Sequence, residues 1–121
     1  MAMAELSDDT ALVSMPRVQG DAVIADVRGE IDLHNSPELR GALLEMLSKT
    51  NPKRLVLNLG KVPYMDSSAV AVLVEALQKL RRVGGKLLLT GLQPRVRGLL
   101  EIARLDSIFV LATTEADALA K

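Results

Sequence analysis

Two runs of five residues constrain this chain more than anything else in it. Leu55-Val56-Leu57-Asn58-Leu59 and Lys86-Leu87-Leu88-Leu89-Thr90 are apolar at most positions rather than at every second one. A strand solvated on one face alternates. A strand covered on both faces has no need to, and that is the habit of parallel sheets, whose crossover helices lie over them.

The segments around these runs carry helix signals. Ser36-Pro37-Glu38 is a start: Ser36 can cap, Pro37 fits the first helical position, and Glu38 suits the positive end of the dipole. Leu39, Leu43, Leu44, Met46 and Leu47 then form an apolar stripe to about Lys49, and Asn51-Pro52 reads as a turn. Asp66-Ser67-Ser68 opens a second helix to about Val83, which Gly84-Gly85 stops. Pro94 opens a third helix to about Arg104, residues 108–111 read as a last strand, and Thr114 can cap a final helix through Leu119. Upstream, residues 11–18 and 22–28 flank Gln19-Gly20-Asp21 as an antiparallel hairpin. The order ββαβαβαβα predicts a single α/β domain over residues 11–119. Its sheet should be open, mixed and mostly parallel, with about four helices packed mainly on one face. Residues 1–10 are expected to form a flexible N-terminus.

Composition excludes several functions. There is no cysteine, so disulfides, thiolate metal sites and thiol nucleophiles are ruled out. Tyr64 and Phe109 are the whole aromatic complement, too few for a platform on which nucleic-acid bases stack. The opening residues lack the basic and apolar regions of a signal peptide, and residues 69–74, the longest uncharged apolar run, cannot span a bilayer. A cytoplasmic protein without membrane insertion is expected. Lys+Arg and Asp+Glu balance at 15 each, but unevenly along the chain. Residues 1–50 hold 4 basic and 9 acidic side chains, residues 51–104 hold 10 and 3, and residues 105–121 hold 1 and 3. This reads either as complementarity across one folded surface or as a basic face for an acidic partner.

No phosphate-cradling glycine loop and no serine nucleophile elbow occurs. Gly84-Gly85-Lys86 follows a helix rather than preceding one, the wrong polarity for holding an anion. His34 is the sole histidine and cannot build a multi-histidine metal site, so it reads as a solvated or structural loop residue. Neither a cofactor nor catalysis is expected.

Asp66-Ser67-Ser68 lies where a strand's C-terminal end meets a helix N-terminus, the edge at which open α/β sheets usually bind ligands. A plain N-cap is one reading of it. However, Ala69-Val70-Ala71-Val72-Leu73-Val74 is apolar on every face for nearly two turns. Either another helix or a partner must cover it. At least one of Val70, Leu73 and Val74 should look outward near Ser67.

Together with Gly29-Glu30-Ile31-Asp32-Leu33, Ser36-Pro37-Glu38-Leu39-Arg40, Tyr64-Met65-Asp66-Ser67-Ser68 and Gly84-Gly85-Lys86-Leu87, these residues resemble the STAS family. The similarity runs from about residue 11 to 119, and its nearest subgroup looks like the bacterial anti-sigma factor antagonists. The resemblance implies a binding module that captures an anti-sigma factor with serine kinase activity. Phosphorylation of the serine after the motif aspartate, here Ser67, releases that partner, and a PP2C-type phosphatase resets the switch. Asp66 and Asp32 match the family's two loop aspartates, and Ser68, His34, Val70, Leu73 and Val74 fall on the implied partner surface. Where many members continue with glycines after the two serines, this chain has Ala69 and Ala71. A second reading, from a different class, is a constitutive accessory subunit of a lipid-handling ABC transporter, in which Ser67 would be structural. A phosphate on Ser67 would add a charge of roughly −1.5 to −2. Free N–H groups at the helix start are expected to tolerate it.

Overall fold

A computed structural model describes residues 11–121, and the expectation for residues 1–10 lies outside the described residues. The elements come in the expected order: β1 (Arg17–Gln19), β2 (Ala22–Arg28), α1 (Ser36–Thr50), β3 (Arg54–Lys61), α2 (Ser67–Arg82), β4 (Lys86–Thr90), α3 (Pro94–Ile102), β5 (Val110–Ala112) and α4 (Glu115–Leu119). One sheet runs β1-β2-β3-β4-β5, antiparallel between β1 and β2 and parallel elsewhere.

Alternate residues of the central strands explain why their sequences do not alternate. Leu55, Leu57, Leu87 and Leu89 join the side chains of α1, α2 and α3 in the large core. Val56 and Leu88, with Ile24, meet Ala112 and Ala118 of β5 and α4 in a smaller core. Both sheet faces are thus covered, three helices on one and the short α4 on the other. Leu57, Leu88 and Leu89 are each 0% exposed. Each contributes roughly 1.5–3 kcal/mol by burial, so the middle strands anchor the fold.

Three local expectations shift. The first arm of the hairpin pairs in two pieces, a Val13–Val27 bridge and then β1. Pro16 lies between them and has no N–H to give to a ladder. Ser36 is buried in the first turn of α1 and is not its cap. Asn35 holds the cap position, but its side chain is taken up by the preceding loop. The last strand is Val110–Ala112, two residues later at its start. The expected stop of α2 holds: Gly84 takes φ +76, a left-handed conformation that favours glycine, and its N–H donates to the Arg81 carbonyl at 3.1 Å.

Candidate functional site

β2 and β3 end side by side, and the chain beyond them stays paired. Gly29 N–H donates to the Lys61 carbonyl at 2.9 Å, Ile31 N–H to the Tyr64 carbonyl at 3.0 Å, and Asp66 N–H to the Ile31 carbonyl at 3.0 Å. The residues after Gly29 therefore run alongside the residues that lead into α2. Ile31 and Met65, both buried, anchor that pairing in the core.

Asp66 is the N-cap of α2 and also reaches across to the neighbouring loop. Its Oδ1 accepts from Ser68 N–H at 2.9 Å, Ala69 N–H at 3.4 Å and the Ser68 hydroxyl at 2.5 Å. Its Oδ2 accepts from Leu33 N–H at 3.0 Å. The Ser68 hydroxyl bond is the largest reason that the Asp66 carboxyl titrates below its ordinary value. Burial opposes the shift, and the backbone N–H groups of Ser68, Ala69 and Leu33 add to it. Asp66 is a clamp between loop and helix.

The two serines of the motif are not equivalent. The Ser68 hydroxyl is committed to Asp66, and its side chain is half-buried. Ser67 is exposed on the first turn, and among the described residues its hydroxyl has no hydrogen-bond partner. Ser67 is the accessible nucleophile of the pair.

The loop before α1 folds on itself. Asp32 Oδ1 accepts from His34 N–H at 2.9 Å and Asn35 N–H at 3.3 Å. The Asn35 side chain accepts from Asp32 N–H and donates to the Glu30 carbonyl, each at 2.9 Å. With its polar groups so employed, the loop presents Leu33 at 76% exposure, beside exposed Asp32 and His34. Arg40 then ties α1 to α2, its Nε and Nη2 donating to Glu75 at 2.7 and 2.8 Å. Beyond the other flank of the motif, the Arg95 guanidinium lies 5.1 Å over the Tyr64 ring.

Asp32, His34, Asp66, Ser67 and Ser68 thus belong to two segments that the Asp66–Leu33 hydrogen bond joins at one edge of the sheet. Val70 and Leu73 need correction. At 6% and 1% exposure they are packing residues of the large core and offer no docking surface. The sheet covers one side of this turn and α1 another, so the turn that looked apolar all round is mostly enclosed. Half-buried Val74 and exposed Ala71 are what it shows outward. Leu33 is the surface residue that sequence reasoning missed, because a lone leucine after Ile31-Asp32 looks like one more core position. The N–H groups at the helix start are also less free than expected. Asp66 already occupies those of Ser68 and Ala69, so a phosphate on Ser67 would project outward beside a carboxylate.

Among the described residues no helix is long and apolar enough to cross a membrane, and no group of three His, Asp or Glu stands ready to hold a metal ion. Comparisons agree with the geometry. BtrV of Bordetella bronchiseptica, whose name marks it as a candidate anti-sigma factor antagonist, is 32% identical over 108 residues, 89% of this chain and 91% of its own. The anti-sigma-B factor antagonist of Listeria monocytogenes is 35% identical over 91 residues, 75% of this chain and 79% of its own. The crystal structure of an anti-sigma factor antagonist from Mycobacterium paratuberculosis superposes with a TM-score of 0.79 at 26% identity, covering 89% of this chain and 92% of that one. Residues 14–118 match the STAS domain, and with the sheet order, the Asp66 clamp and the exposed Ser67 this places the chain in the STAS family.

Proposed function

We propose that this chain is an anti-sigma factor antagonist, a non-catalytic regulator that captures an anti-sigma factor with serine kinase activity while Ser67 is unmodified. Phosphorylation of Ser67 releases that partner, and a PP2C-type phosphatase restores binding. The observation that carries this reading is the difference between the two serines: Ser67 is exposed with an uncommitted hydroxyl, whereas Ser68 is tied to Asp66. Relatives named as anti-sigma factor antagonists supply the partner class.

The docking surface in this reading is Ser67 with Leu33, Asp32, His34 and the exposed edge of α2 at Ala71 and Val74. Leu33 supplies apolar area, and Asp32 and Asp66 supply negative charge for basic groups on the partner. Lowering affinity 100- to 10,000-fold takes about 2.7–5.5 kcal/mol. A phosphate forced into a partly apolar interface beside Asp66 can cost that much through desolvation and like-charge repulsion. Asp66 holds the helix start either way, so the fold survives while the surface changes charge.

Calorimetric titration against an anti-sigma factor from the same genome tests this. Ser67→Ala should bind as the parent does, and Ser67→Glu should bind at least about tenfold more weakly, a single charge copying the phosphate only in part. Equal affinities for the two variants would refute the electrostatic block.

A further inference from the structure

A second surface lies at the opposite end of the sheet, where β3 and β4 begin and α1 and α2 end. Between the last turns of the two helices is an open apolar groove of about 290 Å³, lined by Leu44, Leu47, Pro52, Leu80 and Val83 together with Lys79. Val83 is 57% exposed at this site. The volume falls just under the range of sites that enclose a small-molecule ligand, and suits one or two apolar side chains.

The surroundings of the groove are basic. Lys79, Arg81 and Arg82 occupy the last turn of α2. Lys53 precedes β3 and Lys86 opens β4, and Lys86 N–H donates to the Lys53 carbonyl at 2.9 Å. Gly85 makes this junction possible, since a Cβ there would stand 3.0 Å from both Leu80 Cδ2 and the Lys53 carbonyl. The groove wall and the strand starts are therefore in close contact. Asp21 pairs with Arg54, Glu45 with Lys49 and Glu75 with Arg40, and Glu75 also attracts Lys79. Among the described residues Lys53, Arg82 and Lys86 make no ion pair.

Helix polarity accounts for cations at the end of α2. It does not account for Lys53, an exposed cation directly after Pro52 of the groove lining that makes no ion pair among the described residues. A groove with an apolar floor and a net basic margin matches one ligand chemistry. We propose that it docks an acidic peptide segment of a partner protein, with a leucine-like side chain in the groove and carboxylates against Lys53, Lys79 and Arg82. This inference is independent of the switch at Ser67. The 16-residue α2 separates the two ends by roughly 24 Å, so both can be occupied at once.

The probe is a fluorescein-labelled peptide of about twelve residues, Glu and Asp throughout except for two Leu four positions apart, titrated into the full chain. Saturation is expected at roughly 10–100 μM in low salt, with amide NMR shifts at Leu47, Lys79, Val83 and Lys86 and none at Leu33 or Ser67. The Lys79→Glu, Arg82→Glu double variant should weaken binding at least about tenfold, and salt should weaken it progressively. Val83→Asp, at an exposed position, should weaken it severalfold without unfolding the domain. The proposal is overturned if a peptide with Ser in place of both Leu binds equally well, if the variants bind as the parent does, or if the shifts map to the Ser67 end. Absence of saturation is equally fatal, including the case where phosphatidylserine vesicles capture the chain instead.

Discussion

The two ends of this sheet are built on opposite principles. At the end where the strands finish, hydrogen bonds converge on Asp66 and Asp32, and the exposed features include the free Ser67 hydroxyl, the Asp32 carboxylate, the side chain of Leu33 and the cations Lys61 and Arg95. At the end where strands begin, an apolar groove lies beside Lys53 and Arg82, which make no ion pair among the described residues. The first end is pre-ordered, its backbone and side chains tied together by those hydrogen bonds. The second end has exposed apolar area and unneutralised charge, the marks of a surface completed by something else.

Charge reversal should separate the ends most sharply. Ser67→Glu should lose at least about tenfold in affinity for the proposed anti-sigma partner, while the Lys79→Glu, Arg82→Glu pair should leave that affinity within about twofold. Calorimetry on both variants decides it, and a large loss from the Lys79/Arg82 pair would collapse the distinction. Leu33→Glu comes next. It should weaken the same complex by about tenfold or more, because it puts a charge where apolar area is buried, while the melting temperature moves by no more than about 2 °C. Should Leu33→Glu bind normally, the loop is not part of the interface.

Asp66→Ala probes the pre-ordering itself. Loss of the cap and of the Leu33 tether should lower the melting temperature by roughly 5 °C in a scanning calorimeter. The pH dependence follows from the lowered Asp66 titration. Asp66 contributes stability above its unfolded value near 3.9. That contribution is lost as pH falls through the lower folded value. In Asp66→Asn the acid limb of the stability curve should therefore be shallower, while the neutral plateau is lower. The smallest effect belongs to Arg40→Ala. The Arg40–Glu75 pair is well formed, but it lies at the surface, where such pairs add little, so the melting temperature should move by about 2 °C or less.

The mostly parallel sheet and the succession of elements along the chain were legible because Leu55-Val56-Leu57 and Leu87-Leu88-Leu89 need cover on both faces, and only crossover helices supply it. The Asp66 cap was legible because capping is local chemistry read a few residues at a time. Tertiary contacts hid the rest. Nothing local shows that Asp66 also bonds Leu33, or that α1 covers the flank of α2 on which Val70 and Leu73 looked free. Ser36 was misread as a cap because its neighbour Asn35 serves the loop, a choice that depends on Glu30 and Asp32. The groove was not legible either, since its lining comes from residues 44–52 and 79–83, which only the fold brings together.

The most direct measurement asks which serine takes a phosphate. The full chain is incubated with the proposed partner, an anti-sigma factor kinase from the same genome, and ATP, and tandem mass spectrometry maps the modified residue. The bond from Ser68 to Asp66 and the free hydroxyl of Ser67 predict phosphate on Ser67 alone, and none after Ser67→Ala. Phosphate on Ser68, or undiminished labelling of Ser67→Ala, would contradict the switch described for this end of the molecule.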